Sequence, residues 1–201
     1  EHDAVLEPCK KLNSKGFKVD HLPVDKFGMI NILDLQNIIS DKTSLVSVMF
    51  GNNEVGTIQP IQKIAKICHE NKIIFHTDAV QVIGKIPVDV KKLGVDLLSI
   101  SSHILHGPKG IGALYIKDGI KIDPIILGGG QEFRLRSGTE NVASIVGFGQ
   151  ACEIAQNHLD ENISWIKKLQ SQLVKKVLEE IPKVTFNGHL ESRLYNNAHF
   201  T

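Results

Sequence analysis

The sequence has little that points to a membrane, a secretory route or a structural metal. No apolar run approaches the length needed to span a bilayer. Residues 1–6 lack the basic start and apolar run of a secretory signal. The only cysteines are Cys9, Cys68 and Cys152, and their spacing matches no zinc motif. We therefore expect reduced thiols and a cytoplasmic protein, or one of the mitochondrial matrix if the source is eukaryotic.

An excess of charge of either sign is also missing. There are 23 Lys and Arg residues against 22 Asp and Glu residues, whereas nucleic-acid binders usually carry a basic excess. No block of like charges is long enough for an interaction tail, and no internal repeat is present. The 201 residues, 42% of them hydrophobic, are enough for one globular domain and part of another.

Short apolar runs alternate with amphipathic runs through the first two thirds of the chain. This alternation is typical of βαβ units and predicts an α/β domain, with a mostly parallel sheet flanked by helices. Helices are predicted at Ile32–Ile39, from Pro60 onward and at Val88–Leu93. Strands are predicted at Phe17–Leu22, Leu45–Phe50, Ile73–Phe75, Leu97–Ser101 and Gly110–Ile116.

The spacing of apolar residues changes towards the end of the sequence. Two helical patterns, Val142–Gln156 and Ile163–Leu178, precede a predicted strand at Val184–Asn187. We expect residues 1–160 to form part of a large domain and residues 161–201 to begin a smaller α+β domain. Because Asn196–Thr201 reads as the middle of a strand, we also expect the chain to be truncated.

Polar side chains follow the predicted strands, where parallel sheets bind ligands. Asp78 ends a buried strand, and a buried carboxylate is costly unless a cation faces it. The protonated ring nitrogen of pyridoxal phosphate is one such cation, and Gln81 could then donate to the ring hydroxyl. Alternatively, Asp78 caps the following helix. Ser101 and His103 end the next strand, either as donors to a phosphate or as a polar turn.

Two glycine-rich segments, Gly107–Gly112 and Gly128–Gly130, are better explained as tight turns than as phosphate loops. No Ser or Thr follows Lys109, and an apolar strand follows the turn, so a Walker A loop is excluded. His103 and His106 have an H-x-x-H spacing, but no acidic residue or cysteine lies near them in the sequence. We predict no metal site.

Six strings occur in an order and at intervals that resemble the cysteine desulfurases of the class V aminotransferase superfamily. The resemblance covers essentially the whole chain. The strings are Asn52–Gly56, His76–Gln81, Ser101–His103, His106–Gly110, Gly128–Glu132 and Arg136–Asn141.

The resemblance implies the large domain of a fold-type I pyridoxal-phosphate enzyme. It also implies a reaction in which sulfur from L-cysteine, leaving alanine, passes through an enzyme persulfide to iron–sulfur cluster or thiolated-RNA assembly. By position it implies a set of cofactor contacts: Asp78 to the ring nitrogen, Gln81 to the ring hydroxyl, Ser101 and His103 to the phosphate, Thr139 to the phosphate of a neighbouring subunit, and Asn53 near the cofactor and the substrate carboxylate.

One departure from the family pattern stands out. The family reads Ser-x-His-Lys, and its lysine forms the Schiff base, whereas this chain has Ile104 at that position. The family's persulfide cysteine is expected beyond Thr201. We therefore expect a catalytically incompetent chain that binds pyridoxal phosphate non-covalently at best. We also expect a homodimer that binds a sulfur-acceptor or iron–sulfur scaffold protein, and we expect no nucleic-acid partner. The alternatives are a non-catalytic scaffold or dimerisation relative and a selenocysteine lyase.

Overall fold

A four-stranded sheet forms the centre of the fold in the computed structural model, which describes residues 1–201. Its strands are β1 (Leu45–Ser47), β2 (Ile74–Asp78), β3 (Leu97–Ser101) and β4 (Gly112–Ile116), and their order in the sheet follows their order in the chain. The first three strands are parallel, and β4 pairs antiparallel with β3. The predicted α/β class with a mostly parallel sheet is confirmed.

Six α-helices flank the sheet or extend from it. They are α1 (Asp3–Ser14), α2 (Ile32–Ile38), α3 (Ile61–Glu70), α4 (Val90–Leu93), α5 (Val142–Asn157) and α6 (Leu159–Glu180). Two short turns of 3-10 type lie at Ser102–Leu105 and Glu132–Arg134. None of the helices is both long enough and apolar enough to cross a membrane.

The largest apolar cluster lies between β2 and α3. Ile61, Ile64 and Cys68 lie on the buried face of α3. This face packs with the fully buried side chain of Phe75 in β2. This i, i+3, i+7 spacing places the three side chains on one side of the helix. Removing these side chains from water is the main favourable contribution to holding the sheet and helix together.

Two strand predictions are wrong or only partly confirmed. Phe17–Leu22 is not a strand, because no other segment of the chain pairs with its backbone, and Phe17 is 62% exposed. The predicted strand Val184–Asn187 shrinks to a single antiparallel bridge between Phe186 and Phe200. The sequence reasoning also missed α1, which begins after His2 because the His2 ring accepts a hydrogen bond from Ala4 N–H at 3.1 Å.

The segment after α6 returns to the end of β1. Arg193 and Thr57 form an antiparallel bridge, and Leu194, which is almost fully buried, joins the main core. Ile58 N–H donates to Ser192 O at 2.8 Å, and Leu194 N–H donates to Gly56 O at 2.8 Å. The last part of the chain is therefore tied to residues 56–58. The domain boundary near residue 160 stays a prediction.

Candidate active site

The carboxyl ends of β1, β2 and β3 lie at one edge of the sheet because the three strands are parallel. The parallel pairing continues past β1, since Phe50 N–H donates to Asp78 O at 2.9 Å. On the other side of β2, Ala79 N–H donates to Ser99 O at 2.9 Å. This edge therefore brings Asp78 beside the end of β3 and beside the loop that begins at Gly51. Ligands of open α/β sheets bind at such edges.

Asp78 is the buried carboxylate of this edge. It is 6% exposed, and its Oδ1 accepts a hydrogen bond from Val80 N–H at 2.9 Å. Asp78 therefore caps the segment that follows it, although this segment is a turn and not the expected helix, and the cap occupies only one carboxylate oxygen. No side-chain cation of the chain forms an ion pair with Asp78. A buried carboxylate of this kind is suited to a cationic ligand.

His76 connects three strands on the half-buried face of the sheet. Its Nδ1 lies 2.8 Å from Ser47 Oγ of β1, and its Nε2 lies 2.9 Å from Ser99 Oγ of β3. Burial lowers the pKa of His76, although the charge of Asp78 acts in the opposite direction. The neutral ring satisfies both contacts because a serine hydroxyl can donate or accept.

Ser101 and His103 lie directly after β3, where Ser101 Oγ and His103 Nδ1 are 2.7 Å apart. Ser101 is half-buried and His103 is exposed. Ile104 follows them in the turn Ser102–Leu105 and is half-buried. A hydroxyl, an imidazole and an apolar side chain thus occupy the end of β3, and no amine lies in this turn.

Gln81 lies in the turn that follows Asp78, and its Oε1 accepts a hydrogen bond from Lys85 Nζ at 3.0 Å. Both side chains are half-buried. Burial lowers the pKa of Lys85, and no charged neighbour acts on it. The sequence reasoning missed Lys85, although its spacing of four residues from Gln81 was the signal that would have found it.

Asn53 belongs to the turn Asn52–Gly56, which follows the end of β1. Asn52 Oδ1 accepts hydrogen bonds from Glu54 N–H and Val55 N–H, both at 2.9 Å, so two local hydrogen bonds help to shape this turn. Asn197 adds a distant support, because its Nδ2 donates to Glu54 O at 2.6 Å. The Asn53 side chain is exposed at this turn. No local sequence pattern marks Asn197, since the contact spans most of the chain.

Thr139 does not follow the end of a strand. It is exposed, in a segment whose own hydrogen bonds include Ser137 Oγ to Gly129 O at 2.7 Å and Gly138 N–H to Gln131 Oε1 at 3.2 Å. No hydrogen bond joins Thr139 to Asp78, Ser101 or His103. Of the predicted site residues, the structure thus places Asp78, Gln81, Ser101, His103 and Asn53 after the ends of neighbouring strands, and it does not place Thr139 with them.

Glu1 is a further acidic residue near this edge that the sequence reasoning did not single out. Its Oε1 accepts a hydrogen bond from Met49 N–H at 2.6 Å. Burial raises the pKa of Glu1, the hydrogen bond from Met49 lowers it, and the charge of Asp78 raises it. The positive charge of the amino terminus of Glu1 also lowers this pKa, so the effect of Asp78 on Glu1 is opposed.

These groups fit pyridoxal phosphate. The buried carboxylate of Asp78 lacks a cationic side chain, which suits a protonated ring nitrogen. The Ser101 hydroxyl and the His103 imidazole suit a phosphate at the end of the neighbouring strand. No group of three His, Cys, Asp or Glu side chains in the structure is placed to hold a metal ion.

Comparison with known proteins agrees with this chemistry. The chain matches the Aminotransferase class-V family over residues 1–201. It belongs to that family. The chain is 54% identical over 201 residues to cysteine desulfurase IscS of Methanosarcina thermophila, covering 100% of this chain and 50% of that protein. It is 46% identical over 203 residues to a probable mitochondrial cysteine desulfurase of Dictyostelium discoideum, covering 100% of this chain and 45% of that protein.

Solved structures of similar proteins share the fold. A NifS-like protein superposes with a TM-score of 0.95 at 46% identity, covering 100% of this chain and 55% of that one. SspA in complex with cysteine gives a TM-score of 0.74 at 44% identity, covering 76% of this chain and 45% of that one. The resemblance to cysteine desulfurases and the fold-type I architecture are thus confirmed. The chain spans about half the length of the curated relatives it matches.

Proposed function

We propose that this chain holds pyridoxal phosphate at the carboxyl ends of β2 and β3, as part of a cysteine desulfurase. The observation that carries the proposal is the Asp78 carboxylate, which is 6% exposed at a strand end and has no cationic side chain to balance it. In this role Asp78 keeps the ring nitrogen protonated. Once bound, the cofactor supplies an electron sink for chemistry at the substrate's α-carbon.

The other site residues bind and orient. Ser101 and His103 present a hydroxyl and an imidazole that already contact each other at 2.7 Å, so little reorganisation is needed to receive a phosphate. Gln81 reaches the ring oxygen, and Asn53 lies near the cofactor and the carboxylate of the substrate, L-cysteine. Thr139 serves the phosphate of a neighbouring subunit in a homodimer.

Ile104 lacks the amine that the family reaction requires at this position. A lysine at this position holds the cofactor aldehyde covalently and moves protons during the reaction, and an isoleucine side chain can do neither. We therefore infer that this chain binds the cofactor non-covalently and is catalytically incompetent as it stands. The half-buried Ile104 lies in the same turn as His103, where the amine is needed.

Cys68 and Cys152 are poorly suited to carry a persulfide. Cys68 is fully buried, and burial raises the pKa of its thiol to about 12, with the charge of Asp96 adding to the effect. Burial also raises the pKa of Cys152. Because the thiolate is the nucleophile, burial disfavours the reactive form of both thiols. In the proposed family reaction, the sulfur of L-cysteine is transferred to a different cysteine of the enzyme, which becomes a persulfide, and alanine is left. The persulfide sulfur then passes to a sulfur-acceptor or iron–sulfur scaffold protein.

A second candidate function is a non-catalytic scaffold or dimerisation relative, which Ile104 favours. The exposed apolar side chains Phe133, Val142 and Val146 support an association surface around the start of α5. A selenocysteine lyase would use the same groups. The mitochondrial names of two eukaryotic relatives support a matrix location if the source is eukaryotic, and a cytoplasmic one otherwise.

Equilibrium dialysis with pyridoxal phosphate tests the proposal. The unmodified chain should bind the cofactor, and borohydride should leave none attached to the protein. Asp78→Asn should weaken binding about tenfold, because the ring nitrogen loses its counter-charge. Asp89→Asn, an exposed carboxylate at the start of α4, is the matched control and should change nothing. Equal affinity of the Asp78→Asn and unmodified chains would refute the site.

A further inference from the structure

Lys85 is an ammonium group that the proposed function does not yet use. It ends the turn after β2, and its Nζ donates to Gln81 Oε1 at 3.0 Å. Its side chain lines a small cleft together with Asn162 and Ile163 of α6 and with Tyr195. Lys85 and α6 thus face the same cleft, and the charged end of Lys85 lies beside the amide of Gln81.

No carboxylate neutralises Lys85. It takes part in none of the ion pairs of the chain, and burial is the only influence that lowers its pKa. A half-buried ammonium without an anion is costly, because it loses hydration and gains little in return. An anionic oxygen held near Gln81 would offset this cost.

The contact also fixes which way the Gln81 amide points. A lysine ammonium has only donors, so the amide atom that faces Lys85 must be the carbonyl oxygen. The NH2 group, Nε2, then occupies the other side of the amide and is available as a donor. Without Lys85, the amide could turn over and present its oxygen there, where it would repel an ionised ring oxygen.

We propose that Lys85 is a positioning residue for pyridoxal phosphate, which locks the Gln81 amide so that Nε2 donates to the 3-oxygen of the ring. This inference rests on the proposed function, because it requires the cofactor to lie beside Gln81. The positive charge of Lys85 also stabilises the ionised form of that oxygen through the intervening amide. Lys85 does not itself touch the cofactor.

The test compares two ligands that differ only at this oxygen, pyridoxal phosphate and 3-deoxypyridoxal phosphate. Equilibrium dialysis with the 201-residue chain measures both affinities in Lys85→Met. Binding of pyridoxal phosphate should weaken about tenfold, the size expected for one hydrogen bond to a charged group. Binding of the 3-deoxy ligand should stay within about twofold. Lys91→Met, which removes an exposed lysine of α4, is the control and should alter neither affinity.

Other outcomes separate the positioning role from the site itself. Equal weakening of both ligands by Lys85→Met would mean that Lys85 only supports the fold, and unchanged affinities would mean that it has no role. The arginine side chain also carries only donors, so Lys85→Arg should still bind pyridoxal phosphate more tightly than the 3-deoxy ligand. Loss of this preference in Lys85→Arg would overturn the proposal, even if Lys85→Met does not fold. If the unmodified chain binds neither ligand, the proposed cofactor site fails together with this role.

Discussion

The side-chain amide of Asn197 donates a hydrogen bond of 2.6 Å to the backbone carbonyl oxygen of Glu54. The same side chain accepts a hydrogen bond from Arg193 at 3.3 Å, and the Arg193 guanidinium lies 3.8 Å from the centre of the Phe186 ring. Arg193 is 3% exposed and also donates to backbone oxygens of Asn187 and Val55. The turn that carries Asn53 is therefore supported by residues from the far end of the chain.

Replacing Asn197 with alanine should destabilise this support. The carbonyl oxygen of Glu54 and the buried Arg193 lose a partner, so we expect a loss of about 1–3 kcal/mol in the free energy of unfolding, measured by urea titration. Asn196→Ala is the matched control, since Asn196 is exposed and forms no side-chain hydrogen bond. A free energy that falls equally in both variants would show that the contact is not responsible.

Introducing a lysine by Ile104→Lys should create a covalent cofactor site. The variant should trap pyridoxal phosphate on treatment with borohydride, and peptide mass spectrometry should locate the label at residue 104, because the new amine lies in the turn beside His103. Sulfur release from L-cysteine should stay absent.

The control for this experiment is the unmodified chain under the same treatment. Label found on another lysine of that chain, such as Lys109, would mean that a different amine has taken the role. An Ile104→Lys chain that binds the cofactor but is never labelled at residue 104 would place the end of β3 away from the cofactor aldehyde.

Asp96 should be a main electrostatic support at the opposite end of the sheet. Its buried carboxylate accepts hydrogen bonds from Phe75 N–H at 3.0 Å, from Lys117 Nζ at 3.0 Å and from His69 Nε2 at 3.1 Å. Burial alone would raise the pKa of Asp96, but the three hydrogen bonds together lower it. Asp96→Asn should reduce the free energy of unfolding by about 1–3 kcal/mol at pH 7, whereas the exposed cap variant Asp89→Asn should have little effect.

The pH dependence of the Asp96 contribution follows from the direction of its shift. A carboxylate with a lowered pKa stabilises the fold above its unfolded value of about 3.9, and this stabilisation is lost as the pH falls further. The difference between the unmodified chain and Asp96→Asn should therefore be constant from pH 5 to 7 and shrink below about pH 4. A difference that persists unchanged at pH 3 would contradict this account.

His76 should make stability fall on mild acidification. Because burial lowers the pKa of His76, the unfolded chain binds the proton more readily, and the folded state loses stability as the pH drops below about 6.5. His76→Asn should flatten the stability profile between pH 7 and 5. Equal slopes in the unmodified and His76→Asn chains would refute the prediction.

Self-association should depend on the exposed apolar face at the start of α5. Val142 and Val146 lie one helical turn apart and are 64% and 65% exposed. Val146→Asp should weaken the dimer, whereas Leu190→Asp, at a side chain 68% exposed elsewhere, should not. Sedimentation equilibrium measures the effect. A folded, unmodified monomer at high protein concentration would refute the predicted dimer.

Much of the sheet could be predicted because its signals are local. The apolar runs of β1, β2 and β3 and the stripe of Ile61 and Ile64 on α3 reflect burial by neighbouring elements, and burial leaves a periodic pattern in the sequence. Asp78 and Ser101 could be placed at one edge because parallel strands end together. Phe17–Leu22 also shows the apolar alternation expected of a strand. A strand, however, needs a neighbouring strand to pair with, and alternation within one segment does not show whether such a neighbour exists.

The parts that the sequence did not predict depend on contacts over long distances. Asn197 and Arg193 stabilise the Asn53 turn from more than a hundred positions away, and no local pattern marks them. Lys85 is an exception, because its contact with Gln81 spans only four residues and the spacing was visible in the sequence. It was overlooked because a lysine is usually exposed, whereas the structure shows its ammonium half-buried.

The sheet order that follows the chain order has a consequence for the route of folding. Each strand joins the one formed just before it, so β1 to β4 can assemble through short loop closures. The bridge between Thr57 and Arg193 instead closes a loop of more than a hundred residues, and its entropic cost is recovered only when the sheet is already in place. We expect the Asn53 turn to acquire its final shape in the last kinetic phase of refolding, after the edge that holds Asp78.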